Sequence, residues 1–145
     1  MDAESRRITN RLAAIAAVAS FITQPVPALD ELIVVPIHHS LVKRLARVRG
    51  VPATELPWKP IKRIIWVGAG ARLIGNFSIG LIPGVGLFSN AITAVILTEY
   101  LAQYVDQALT DPSTPPPDMS FQGLRKMLVD GVRAWSFRRA STQGA

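Results

Sequence analysis

The sequence predicts an all-α protein: two stacked helical hairpins, with helices at about 4–24, 29–49, 61–81 and 87–109, and a C-terminal amphipathic helix at about 120–138. Three observations carry that prediction. Apolar residues recur every three or four positions through those stretches, the helical period rather than the alternation of strands. Prolines gather between the stretches, at Pro25 and Pro27, at Pro52, Pro57 and Pro60, and at Pro112 and Pro115–Pro117. The run from Leu73 to Thr98 carries no charge and is broken once, at Pro83-Gly84, so it reads as a hairpin tip between amphipathic arms. Residues 1–110 then form a double-hairpin domain, 111–119 a Pro-rich linker, and 120–145 a helix with a tail.

In the first helix, Ile8, Leu12, Ile15, Val18 and Ile22 form the stripe expected to face the core. Pro25 and Pro27 stop it. In the second, Leu29, Leu32, Ile33, Ile37, Leu41, Leu45 and Val48 form the stripe. Asp30 and Glu31 in its first turn and Lys43, Arg44, Arg47 and Arg49 near its end suit the helix dipole. Pro36 should kink it, and Gly50 should end it. Residues 50–60 read as a loop.

The third helix holds Gly68, Gly70, Gly75 and Gly80, each weakening it by ~1 kcal/mol relative to Ala. They imply close approach of another backbone, and Ala71-xxx-Gly75 and Gly80-xxx-Gly84 have the spacing of tight helix packing in membranes or in a soluble bundle. The turn Ile82–Gly86 leads to the fourth helix, with Ile92, Val95, Ile96, Tyr100 and Val105 on its core side. In the last helix Phe121, Leu124, Leu128, Val132 and Trp135 share one side, and residues 140–145 read as a disordered tail. A shift of 56 positions lays Pro27 on Pro83, Leu41 on Leu97, Leu45 on Leu101, Ala46 on Ala102 and Ile8 on Ile64, the layout of a duplicated hairpin.

The 145 residues suit one domain, and a chain of this size buries enough surface for a core without disulfides. There is no Cys, which excludes thiol catalysis and thiolate metal sites. Hydrophobic residues make up 49% and charged residues 18%, below the ~25% usual for soluble domains. The net charge of +6, 16 basic against 10 acidic residues, points to an anionic partner. The apolar excess favours a membrane surface, and the few aromatics argue against nucleic acid. Arg6, Arg7 and Arg11 before an alanine-rich run imitate a leader peptide, but no small-x-small cleavage site precedes Pro25.

The pattern Pro27, Asp30, then Leu45-Ala46 and Gly50-Val51-Pro52, then Gly68-x-Gly70-Ala71, then Leu81-Ile82-Pro83-Gly84-Val85-Gly86 resembles the YcjF-type, GTPase-associated helical domain of bacteria, a family of unknown function. The resemblance covers about residues 8–109. It implies membrane association and a small GTPase as partner, and this chain carries no GTPase domain of its own.

No catalytic set competes with that reading. Ile65–Gly75 imitates a dinucleotide-binding turn, but Leu73 stands where the third glycine belongs, and no acid falls about 20 residues on. His38 and His39 point about 100° apart on a helix, cannot chelate one ion as an i, i+4 pair can, and read as a partly exposed pair on a helix shoulder. No catalytic residue, cofactor or metal site is expected.

The charge layout is more informative. In a double hairpin, Arg6, Arg7 and Arg11, then Lys43, Arg44, Arg47, Lys59, Lys62 and Arg63, then Arg125 and Lys126, fall at the open end as contacts for an anionic surface. The opposite tip, Leu81, Ile82, Pro83, Gly84, Val85, Gly86, Leu87 and Phe88, would insert. Its arms are too short to span a bilayer, so the hairpin would be re-entrant. Trp58 and Trp66 flank it, as interfacial anchors or as core. The expected function is a non-enzymatic, membrane-associated anchor or adaptor at the cytoplasmic face of the inner membrane, peripheral or re-entrant. The alternative is a soluble cytoplasmic interaction module that binds an acidic protein through its basic end. Self-association is compatible with either.

Overall fold

The computed structural model describes residues 1–23, 29–79 and 85–142, and of residues 30, 75–79, 85–87 and 134–142 the backbone alone. Five α-helices make up the described fold: α1 (Ala3–Thr23), α2 (Leu29–Val48), α3 (Trp58–Ile79), α4 (Val85–Thr110) and α5 (Phe121–Thr142). No strand occurs among the described residues. A short 3₁₀ turn, Ala53–Glu55, sits between α2 and α3. The fold is all-α, as the periodicity predicts. The Pro-rich turn at residues 24–28 and the Pro83-Gly84 turn lie outside the described residues.

Helix ends follow local chemistry. The Asp2 carboxylate accepts the Ser5 N–H and caps α1. Gly50 stands at φ +68°, with its N–H on the Arg47 carbonyl and the Val51 N–H on the Ala46 carbonyl, the two bonds of a Schellman end to α2. α3 begins at Trp58, three residues before expectation, because Pro60 falls in the first turn, where its missing N–H has no intrahelical partner to lose. α2 continues through Pro36. Ser120 caps α5 by accepting the Gly123 N–H. A Cβ at Gly123 would strike the Asp118 carbonyl, so this turn requires glycine. α5 continues to Thr142, past the tail expected from residue 140.

α4 is the central helix and packs on α1, α2, α3 and α5. Asp106 at the end of α4 meets Arg49 after α2 and the Met1 amino group before α1, while Ser20 late in α1 meets Arg72 late in α3 and Asn90 early in α4. Successive helices from α1 to α4 therefore run antiparallel. The core joins Leu41, Leu45 and Ala46 of α2 with Ile61, Ile64 and Ile65 of α3 and Leu97, Leu101 and Ala102 of α4. Three pairs of the 56-residue echo thus share one core.

The buried face of α1 differs from the expected stripe. Ile15, Val18 and Ile22 are exposed, while Ser5, Thr9, Ala13, Ala16, Ser20 and Thr23 are buried. α1 lies on α4 and α2 through this small-residue face. The Thr9 and Thr23 hydroxyls donate to carbonyls one turn back, so their burial leaves no lost hydrogen bond. Of the two α3 glycines whose surroundings are described, Gly68 meets a neighbour as predicted, and that neighbour is the Leu97 side chain rather than backbone; the surroundings of Gly75 and Gly80 lie outside the described residues. Gly70 faces open space and Ala71 is exposed, so no backbone packs against them.

Candidate functional site

The candidate site is the half of the bundle that holds the end of α1, the start of α2, the end of α3 and the start of α4. The described side chains at 12–23, 31–37, 66–74 and 88–98 include two charged ones, Glu31 and Arg72, and both turn inward. The outer surface of α1 to α4 there is apolar. Val18, Phe21 and Ile22 of α1, Leu32 and Ile33 of α2, Trp66 and Ile74 of α3 and Phe88 of α4 are all exposed. Leu32 is 73% exposed and Ile22 and Ile74 69% each, well beyond a core residue at a crack in the packing. Phe21 and Phe88 meet edge to face at 6.3 Å between centroids.

Arg72 is the interior counterpart of this surface. The residue is 3% exposed, and its guanidinium donates from Nη2 to Ser20 Oγ at 2.7 Å and to Asn90 Oδ1 at 2.9 Å. Nη1 lies 3.3 Å from Glu31 Oε1. The Asn90 amide reaches the Ser20 carbonyl at 3.4 Å. One buried charge thus ties together α1, α2, α3 and α4. Periodicity gives no sign of this cluster, since Ser20, Arg72 and Asn90 interrupt apolar runs one at a time.

One layer further in, His38 is 1% exposed, which corrects the expectation of a histidine pair on a helix shoulder. Its Nε2 lies 3.0 Å from Thr98 Oγ1. That hydroxyl donates its proton to the Ala94 carbonyl, so it can only accept, and His38 carries its proton on Nε2. Burial first, then the Arg72 and His39 charges, push the His38 pKa down to about 3. His39 is half-buried and stacks on Trp58.

The other half is charged outside. Arg6, Arg7, Arg11, Lys43, Arg44, Arg47, Lys59, Lys62 and Arg63 are all exposed there. Asp106 binds this end together. Burial pushes its carboxyl up, but hydrogen bonds and charge from Arg49 and the Met1 amino group outweigh that and hold it below the ordinary value.

Two predicted groups sit differently. Trp58 is half-buried at the basic end, where Nε1 donates to the Ala53 carbonyl, so it secures a loop rather than flanking the apolar run; Trp66 is exposed. Arg125 and Lys126 are exposed on α5, which packs on α4, with Gly131 against the Ile96 side chain. Of the predicted tip, Leu81, Ile82, Pro83 and Gly84 lie outside the described residues, as do the side chains of Val85 and Leu87; Gly86 lies in α4, and Phe88 is exposed.

No helix among the described residues is long and apolar enough to cross a membrane. No group of acidic, His or Cys residues among them could hold a metal ion. Comparison of the chain with protein-family models, with curated proteins and with solved structures finds no match.

Proposed function

We propose that this protein is a non-enzymatic, peripheral membrane-binding helical domain, seated in one leaflet by its apolar half, that serves as an anchor or adaptor at the cytoplasmic face of a membrane. The observation that carries the reading is the inward turn of Glu31 and Arg72, which leaves the described surfaces of α1 to α4 in that half without exposed charge; the exposed Arg125 and Lys126 of α5 stand beside them. A carboxylate pointing outward would oppose insertion by several kcal/mol, whereas one paired inside does not.

The basic residues sit at a suitable height. Arg11 lies one turn before Ile15 on α1, and Lys62 one turn before Trp66 on α3, all four exposed. One turn is ~5.4 Å, so a basic collar borders the apolar cap at headgroup distance, with Trp66 at the boundary where indoles anchor. A small GTPase as partner rests on the family resemblance alone, carried by Pro27, Asp30, Leu45-Ala46, Gly50-Val51-Pro52, Gly68-x-Gly70-Ala71 and Leu81–Gly86.

Liposome flotation tests this reading. Wild-type protein should float with anionic vesicles in a salt-sensitive manner. Ile22→Asp, Leu32→Asp and Phe88→Asp alter exposed positions, so each should stay folded and lose flotation. If wild-type protein ignores vesicles of every charge and remains a monodisperse, detergent-free species, the alternative module for an acidic partner takes its place.

A further inference from the structure

At the basic end, a cavity of about 680 Å³ opens between the start of α3, the end of α4 and the Pro-rich segment after α4. Its size falls within the range of small-molecule sites. Tyr104, Ala108 and Leu109 contribute from α4, Pro57 and Pro60 from the start of α3, and Pro112 and Pro116 from the Pro-rich segment. These groups are apolar and conformationally stiff, so the cavity does not depend on ordering long side chains.

The Pro-rich segment is fixed at both ends. Asp111 accepts from the Ser113 N–H and hydroxyl, Asp118 accepts from the Ser120 N–H, and Met119 is buried in the core. The segment therefore stands as a wall rather than a spacer.

The charges at the cavity are uneven. Lys59 and Arg63 lie one turn apart near the start of α3, where the helix dipole adds positive potential, and both line the cavity. Neither forms an ion pair within 4 Å among the described residues; Arg63 feels the Asp118 carboxylate only at longer range. Glu55 is the single opposing charge in the lining.

We infer that this cavity binds an amphiphilic anion, an apolar chain or ring system bearing one carboxylate or phosphate, with the apolar body among Tyr104, Ala108, Pro112 and Pro116 and the anionic head on Lys59 and Arg63. The site lies at the end of the bundle opposite the apolar half and does not rest on the membrane reading.

Calorimetric titration of the full chain with decanoate, decyl phosphate and decan-1-ol, below their aggregation concentrations, tests it. Saturable binding of one molecule per chain is expected for decanoate or decyl phosphate. The tighter of the two identifies the head group. Decan-1-ol should bind at least about tenfold more weakly, the worth of a charged hydrogen-bonded contact. Lys59→Gln with Arg63→Gln, both at exposed positions, should weaken the anion by at least about tenfold and leave decan-1-ol unchanged. Ala108→Phe should fill the cavity and abolish binding of all three. Ile22→Asp should change nothing, which separates this site from the apolar half. Failure to bind any of the three, equal affinity for decan-1-ol and the anions, or full anion affinity in the Lys59→Gln, Arg63→Gln protein overturns the inference, whatever Ala108→Phe does to folding.

Discussion

The two halves of the bundle place their charges in opposite ways. At the Met1, Arg49 and Asp106 end, the basic side chains lie outside, Asp106 alone of the described charges is buried, in ion pairs with Arg49 and the Met1 amino group, and the interior beyond it is Leu41, Leu45, Ile61, Ile64, Ile65 and Leu101. At the Ser20, Glu31, Arg72 and Asn90 end, the described charge of α1 to α4 is inside and Val18, Phe21, Ile22, Leu32, Ile74 and Phe88 are outside, and exposed charge comes only with α5 alongside. The first arrangement needs no explanation beyond water on the outside and oil within. The second makes sense when the surroundings of that half are not only water. The difference teaches that an uncharged run is not by itself core. From Leu73 to Thr98 the chain supplies interior at Leu97 and Thr98 and exposed surface at Ile74 and Phe88.

The largest effect expected comes from breaking the internal charge. Arg72→Met removes the cation while Glu31 stays on its inner site, and a broken buried pair costs about 3–5 kcal/mol. Urea unfolding followed by circular dichroism should show that loss, and Glu31→Gln with Arg72→Met should recover much of it. A loss under about 1 kcal/mol for Arg72→Met would mean that the pair is solvated in solution, since exposed pairs are worth that little. The contrast between the halves would then disappear.

A smaller effect tests how dry the layer beneath that cluster is. The folded state holds His38 neutral with a pKa of about 3, against about 6.5 when unfolded. Between these values the unfolded chain binds more protons, so stability is complete above about pH 6.5 and falls as pH drops toward 3. Each pH unit inside the window costs at most ~1.4 kcal/mol, so about 2 kcal/mol should be lost between pH 7 and pH 5. His38→Gln should flatten that slope. His39, lowered by burial and then by Lys43 and Lys62, tilts stability the same way and persists in both proteins, so the difference between them isolates His38. The carboxyls at Asp2 and Asp106 are lowered and act below the pH range compared. Equal pH slopes in wild type and His38→Gln would place water at His38.

How much of this was legible varied with the kind of signal. Helix number and the borders of α1 and α2 followed from periodicity, prolines and Gly50, because those features act through the local backbone, whereas α3 starts three residues early and α5 runs beyond its expected end. Which face is buried was less readable. In α1 the large residues Ile15, Val18 and Ile22 predicted a face that Ala13, Ala16 and Ser20 occupy instead. Size decided there: small side chains allow α1 to lie close on α4, and that depends on a partner that α1's own sequence does not contain. The Arg72 cluster was hidden for the same reason. Ser20, Glu31, Arg72 and Asn90 come from four helices, and only the antiparallel order brings them together. The polarity of the two ends, by contrast, was visible in the clustering of Arg6–Arg11 and Lys43–Arg63 against the uncharged Leu73–Thr98.

The smallest effect compares two glycines in α3. A Cβ at Gly70 meets nothing within 4 Å, whereas one at Gly68 meets the Leu97 methyls at 2.5 and 2.6 Å. Gly70→Ala should therefore stabilise the fold by up to ~1 kcal/mol through helix propensity alone. Gly68→Ala has the same gain set against overpacking of about 1–3 kcal/mol, and should end neutral or destabilised. Thermal melts of the two variants decide the matter. If both stabilise equally, Leu97 has room to move, and the α3–α4 contact at Gly68 is looser than the buried Ile64, Ile65 and Leu101 around it imply. If Gly70→Ala stabilises but weakens liposome flotation, the open side of α3 beside Trp66 and Ile74 needs a bare backbone for its own partner, and the apolar half is a fitted surface rather than a merely greasy one.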